Sequence, residues 1–205
     1  MPIATEGQSP LQAGPANSAR SAVGRDGACR LPLQTRETMP ETFAFLDERR
    51  GPVANAHVFA LLANCPDILR AFIDMADVVR DGCGLDPTLR ELAIVMTCLT
   101  LGNRYEHTRH WNMARRLGVP REKLEAVWDF EASDVFSRPE KAVMRLARDA
   151  TRAPEQVAQP VWDEAHSVLG DQRCLALLFS IGWYNMTARI TGAAALQMEP
   201  DLQRL

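Results

Sequence analysis

Several things are scarce or missing in this 205-residue sequence, and each narrows what it can be. No apolar run reaches the ~18 to 20 residues that a membrane-spanning helix needs, so no membrane partner is expected. No N-terminal segment has the continuous ~7 to 15 apolar residues of a secretory signal, although Arg20 and Arg25 lie near that end. The five cysteines (Cys29, Cys65, Cys83, Cys98 and Cys174) are odd in number and widely spaced, with no C-x-x-C pair and no clustering with histidine. That pattern argues against a disulfide framework and a zinc site, and it fits a reduced, cytoplasmic setting. A net charge of −3 with scattered arginines leaves no basic stripe for nucleic acid. A small molecule or another protein is the expected partner.

Period-two alternation is also missing, and what stands in its place is helical spacing broken by proline and glycine. Residues 1–39 are rich in Gly, Pro, Ser, Ala and Gln and carry few large apolar side chains, so they are expected to form a flexible extension. From Pro40 to residue 205 the pattern predicts one all-α domain. A first helix carries Phe43, Phe45 and Leu46 and breaks at Gly51 and Pro52. Two more meet near Pro66, one lined by Val58, Leu61 and Leu62 and the next by Ile68, Leu69, Phe72 and Met75. Asp81, Gly82 and Gly84 mark a turn, and Pro87 opens a helix to about Leu101 that is apolar nearly all round and therefore central. A helix from Asn103 to Gly118 follows, then a short one after Pro120 and another after Pro139. A helix over Pro160 to Leu169 comes next, and a last long one is capped by Asp171.

The stretch with the look of chemistry is Arg90 to Pro120, RELAIVMTCLTLGNRYEHTRHWNMARRLGVP. Asn103 and Glu106 spell N-x-x-E at a helix start, which is the pattern of a capping box. Yet Glu106, His110, Met113 and Leu117 also follow one helical stripe, so the carboxyl and the imidazole point the way the apolar anchors do. Such groups facing a core must pair with each other or face a cavity. Glu91, near the start of the central helix, is either a partner for Arg90 and the helix dipole or a second carboxylate beside the pair, which would hold a proton near neutral pH. Tyr184 and Asn185 interrupt the last apolar helix and require partners of their own. His107 lies about 100° round the helix from Glu106 and reads as a surface or interface histidine. With only two histidines three apart and no third ligand, no metal site is expected. Cys98, alone on the buried helix, reads as core filler.

These residues resemble a known family. REL before an apolar run, then N-R-Y-E-H-x-x-H-W-x-x-A-x-x-x-G-V-P, together with NCPDILRAF, LDPTLREL and GWYNMTARI, is similar to the carboxymuconolactone decarboxylase and alkylhydroperoxidase-D-like superfamily over roughly Ala54 to Ala193. The resemblance implies an all-α subunit that assembles into trimers or hexamers, an active site near subunit contacts and no obligatory organic cofactor. In the peroxidase branch a glutamate, a C-x-x-C pair and a histidine form the site. Here Glu91 and His110 match the outer members, but Asn103 and Glu106 stand where the redox cysteines would be. Without an attacking and a resolving sulfur there is no dithiol cycle. The resemblance then implies the non-redox, decarboxylase-like branch: a cofactor-independent lyase or isomerase moving protons on a small cyclic or unsaturated carboxylic acid or lactone. Glu106, His110 and Glu91 are the expected catalytic groups, and Asn103, His107 and Tyr184 the expected substrate contacts. The competing expectations are a thiol-dependent peroxidase-like protein using Cys98 and a non-catalytic oligomer that binds a small molecule.

Overall fold

The computed structural model describes residues 28–81 and 84–202, in which eight α-helices and three short 3-10 turns occur and no strand does. The helices are α1 (Pro40–Arg50), α2 (His57–Leu62), α3 (Pro66–Asp81), α4 (Pro87–Thr100), α5 (Arg104–Arg116), α6 (Arg121–Ala126), α7 (Arg138–Arg152) and α8 (Gln159–Ala193). No helix among the described residues is long and apolar enough to cross a membrane.

The helix α4 is buried without a break from Arg90 to Cys98 and packs against α5, α7 and α8. Its start is fixed by Pro87 and by Asp86, whose Oδ1 accepts from the backbone N–H of Thr88 at 2.9 Å and of Leu89 at 3.0 Å. Its end is a Schellman motif. Gly102 takes φ 66°, its N–H donates to Leu99 O at 3.0 Å, and the Asn103 N–H donates to Cys98 O at 3.0 Å. Asn103 then begins α5 at once, accepting from the Glu106 N–H at 2.9 Å. One residue thus closes one helix and opens the next, which fixes the α5 side chains against those of α4.

Two apolar cores flank this hairpin. The larger joins α4 to α7 and α8, with Leu92, Met144, Leu146 and Leu177 fully buried. The smaller gathers α1, α2 and α3 around Leu46, Leu69 and Ile73, with Tyr105 of α5 on its edge. A capping box of Ser137 and Glu140 starts α7. The last helix runs as one element but bends at Gly170 (φ 71°, ψ 174°), which is where two helices were expected to meet. Asp171 does not cap there; its Oδ1 pairs with Nε2 of His166 at 2.5 Å.

Part of the expected extension is docked rather than free. The Arg30 N–H donates to Ala194 O at 2.8 Å, the Gln34 N–H donates to Ala60 O at 3.1 Å, and Asn64 Nδ2 donates to Pro32 O at 2.7 Å. Residues 28–39 therefore pack onto α2 and the end of α8. Side chains add to these bonds, with Arg30 Nη1 on Ala193 O, Gln34 Nε2 on Asn64 Oδ1 and Arg36 Nη2 on Asp47 and Asn55, all partners that composition does not encode. The rest of the extension, and the Gly82 part of the expected turn, lie outside the described residues.

Candidate active site

Where α5 faces α3 and α8, a cavity of about 370 Å³ opens between the two cores. Glu106, His110 and Tyr184 all line it. Glu91 lies behind His110, out of the cavity. Its Oε2 is 2.7 Å from His110 Nδ1, and its Oε1 is 3.5 Å from Arg90 Nε. With both carboxylate oxygens engaged, Glu91 is best satisfied when His110 carries its proton on Nδ1. The other ring nitrogen, Nε2, then has a bare lone pair on the side of Glu106.

Glu106 is the unusual member. It is only 3% exposed, its Oε2 stands 3.8 Å from His110 Nε2, too far for a hydrogen bond, and its Oε1 has no partner at all. Burial pushes its carboxyl above the ordinary range. His110 and Arg109 pull it back, and the nearby Glu199 carboxylate adds to the rise. The arrangement is a carboxylic acid disposed to keep its proton, next to an imidazole whose Nε2 lone pair faces it. Tyr184 meets the His110 ring edge-on at 4.3 Å between centroids, and burial first, then Glu91 and Glu106, hold its phenol well above the ordinary value. Its hydroxyl has no hydrogen-bond partner among the described residues. It is therefore a proton-bearing donor at the cavity wall.

The remaining expected residues do other work. The Asn103 side chain is fully engaged: Oδ1 caps α5, while Nδ2 donates to Ala188 O at 2.8 Å and Thr191 Oγ1 at 3.1 Å, tying α5 to α8. It does not line the cavity. His107 is buried rather than superficial, 5.9 Å between ring centroids from Trp111, and is likewise outside the cavity wall. Asn185 bonds Thr151 and the Ile181 carbonyl, a tie within the fold. Leu117 leaves the α5 stripe and is 39% exposed. Cys98 is fully buried, and burial together with Glu106 and Glu91 raises its thiol well above the ordinary value. No group of three His, Cys, Asp or Glu among the described residues is placed to hold a metal ion.

One functional-looking cluster escaped the sequence. Glu199 Oε1 accepts from the His57 N–H at 2.7 Å, the Tyr105 hydroxyl at 2.8 Å and Arg109 Nη1 at 3.0 Å, which draws residues 199, 201 and 202 over the cavity as a wall. These donors outweigh burial and hold the Glu199 carboxyl below its ordinary value. Nothing in the local pattern around Glu199 signals contacts with residues so far back in the chain.

The all-α fold is that of the alkylhydroperoxidase-D-like class. Structures of that class superpose well. A peroxidase-related protein from Ralstonia eutropha with an alkylhydroperoxidase AhpD core has 19% identity and a TM-score of 0.73, covering 85% of this chain and 94% of that one. A peroxidase-related protein from Silicibacter has 21% identity and a TM-score of 0.72 over 85% and 93%. The debrominase Bmp8 in complex with 2,3,4-tribromopyrrole has 18% identity and a TM-score of 0.70 over 84% and 91%. At such identities the likeness is one of fold. Residues 66–149 match the carboxymuconolactone decarboxylase family, and the fold is that of the alkylhydroperoxidase-D-like structures. No curated protein matches the sequence.

Proposed function

We propose that the protein is a cofactor-independent lyase or isomerase that moves protons on a small unsaturated or cyclic carboxylic acid or lactone. The observation that carries this reading is the 2.7 Å contact of Glu91 Oε2 with His110 Nδ1, which leaves Nε2 as a base beside the buried acid Glu106. In the isomerase form, Nε2 takes a proton from carbon next to a carbonyl and the electron pair moves to the carbonyl oxygen. The Tyr184 hydroxyl donates to that enolate, and Glu106 or protonated His110 returns a proton to carbon. In the lyase form, loss of carbon dioxide generates the same enolate and the same groups protonate it. The donor role expected of Asn103 passes to Tyr184, because the Asn103 amide is already spent within the fold.

The thiol alternative gains no support here, since Cys98 is buried, held protonated and off the cavity wall. A homo-oligomer, trimer or hexamer, is part of the proposal. Leu175, Phe179 and Met186 are exposed at helical spacing on α8, which suits burial against another copy. The test is turnover of a panel of β-keto acids and unsaturated lactone acids by folded Glu106→Gln and His110→Ala variants. Each should lose roughly 10² to 10⁴ in rate, and near-normal rates in both would refute the mechanism. Ligand recovered unchanged after long incubation with wild type would favour a binding protein instead.

A further inference from the structure

Charge and shape along the cavity narrow the substrate further, on the assumption that the acid/base reading above holds. Four arginines line the wall, but two are committed. Arg50 is held by Asp77 Oδ1 at 2.5 Å and by the Ile73 carbonyl, and Arg109 is held by Glu199. Arg80 and Arg116 are exposed and make no ion pair among the described residues; the one carboxylate of the lining that is likewise exposed and outside every ion pair described is Asp201. Two guanidiniums against one carboxylate leave a single surplus positive charge at the solvent end, enough for one anionic group. Farther in, Phe72 and Trp183 form an aromatic wall with ring centroids 4.6 Å apart. More buried than either ring is Glu106, whose Oε1 has no protein partner among the described residues. A buried polar atom that lines a cavity and lacks a partner calls for a polar atom on the ligand.

The helix itself supplies a ruler. Arg116 lies six residues beyond His110 on α5, about 9 Å along the axis at 1.5 Å per residue. A carboxylate held at Arg80 and Arg116 is therefore well removed from the reacting nitrogen. We infer that the substrate is a monocarboxylate carrying an oxo group and a flat apolar body, with its carboxylate at Arg80 and Arg116 and its carbonyl at Glu106 and Tyr184. The carboxylate is an anchor and is not lost. Chemistry at His110 is then a proton shift: a C–H bond next to the carbonyl breaks, its electrons pass to the carbonyl oxygen, and a proton returns to carbon. The reaction class is isomerisation, with no carbon dioxide released.

The probes are 3-benzoylpropionate and its uncharged primary amide, with binding followed by calorimetry and by Trp183 fluorescence. The acid should bind at least about tenfold more tightly than the amide, the scale of one charge-assisted contact. Arg80→Ala and Arg116→Ala, both at exposed side chains, should each weaken the acid by about that factor and leave the amide unchanged, while Arg116→Lys keeps most of the affinity. Equal binding of acid and amide, or undiminished acid binding by the double alanine variant, would overturn the inference. In deuterium oxide, wild type should exchange the hydrogens next to the ketone. Charge-selective binding without exchange would instead remove the acid/base reading and leave the anion site standing. Release of carbon dioxide from benzoylacetate faster than exchange of 3-benzoylpropionate would overturn the assignment to isomerisation.

Discussion

The protonation of Glu106 can be read from stability alone, with no substrate in hand. Its carboxyl is buried, its Oε1 meets no donor, and its affinity for a proton is raised above the ordinary value of 4.5. The folded protein therefore binds a proton at Glu106 at pH values where the unfolded chain has released it. Stability from this residue is fully present below about pH 4.5 and is lost as pH rises from there through the folded value. Each tenfold rise in proton affinity corresponds to about 1.4 kcal/mol lost by the time the group ionises. Glu106→Gln keeps the shape and removes the titration. Urea midpoints for both proteins, taken from pH 4 to pH 9, should diverge as pH rises, with the glutamine variant becoming the more stable. Glu199 acts with the opposite sign: its carboxyl is held low by His57, Tyr105 and Arg109, so its contribution is lost as pH falls. Because Glu199 is present in both proteins, it largely cancels in the difference. A difference that stays flat with pH, or that favours wild type increasingly above pH 5, would refute a proton held on Glu106.

Further expectations test the rest of the site and its scaffold. Nitrogen NMR of His110 should show the Nδ1–H tautomer in wild type, and Glu91→Gln should mix the tautomers and lower turnover by about 10- to 100-fold, the value of one charged hydrogen bond; a dominant Nε2–H form in wild type would undo the proposed base. Cys98 should resist iodoacetamide in the folded protein and react on unfolding, since its thiol is buried and kept protonated, and fast labelling of native protein would contradict this. Gly170→Ala meets open space but must hold φ 71° and ψ 174°, so it should cost about 1 to 3 kcal/mol in urea melts from backbone strain alone.

Proline and glycine made most of the helices legible. Pro40, Pro66, Pro87, Pro139 and Pro160 each stand in the first turn of a helix, and Gly102 takes positive φ where α4 ends. The docking of residues 28–39 was hidden because its bonds, from Arg30 to Ala193, Gln34 to Asn64 and Arg36 to Asp47, reach partners far along the chain that local composition does not reveal. Within the site, helical spacing alone placed Glu106 and His110 on one side of α5. The meeting of Glu91 with His110 crosses the hairpin; burial of the central helix left it as one of two readings, and the family resemblance favoured it. Asn103 shows the limit of that route. Its position in the motif pointed to the cavity, whereas local capping and Ala188 claimed every polar atom it has. Glu199 carried no local signal, and neither did the division of the arginines into bonded and unbonded pairs, which depends on where Asp77 and Glu199 fall in the fold.

The two glutamates beside His110 differ in a way that packing does not explain. Glu91 is almost fully buried but satisfied, with Arg90 on one oxygen and His110 on the other, so it stabilises its surroundings. Glu106 is buried to the same degree and leaves Oε1 unpaired, a cost of about 1 to 3 kcal/mol for a lone polar group. A residue kept for structure alone would do better as glutamine paired to a neighbour or as leucine. An acid that keeps its proton until a ligand oxygen arrives, however, needs to be buried, close to a base and short of one partner. Among the described residues that line this cavity, Glu106 meets all three conditions; Glu199 also leaves Oε2 unpaired, but His57, Tyr105 and Arg109 hold its carboxyl low.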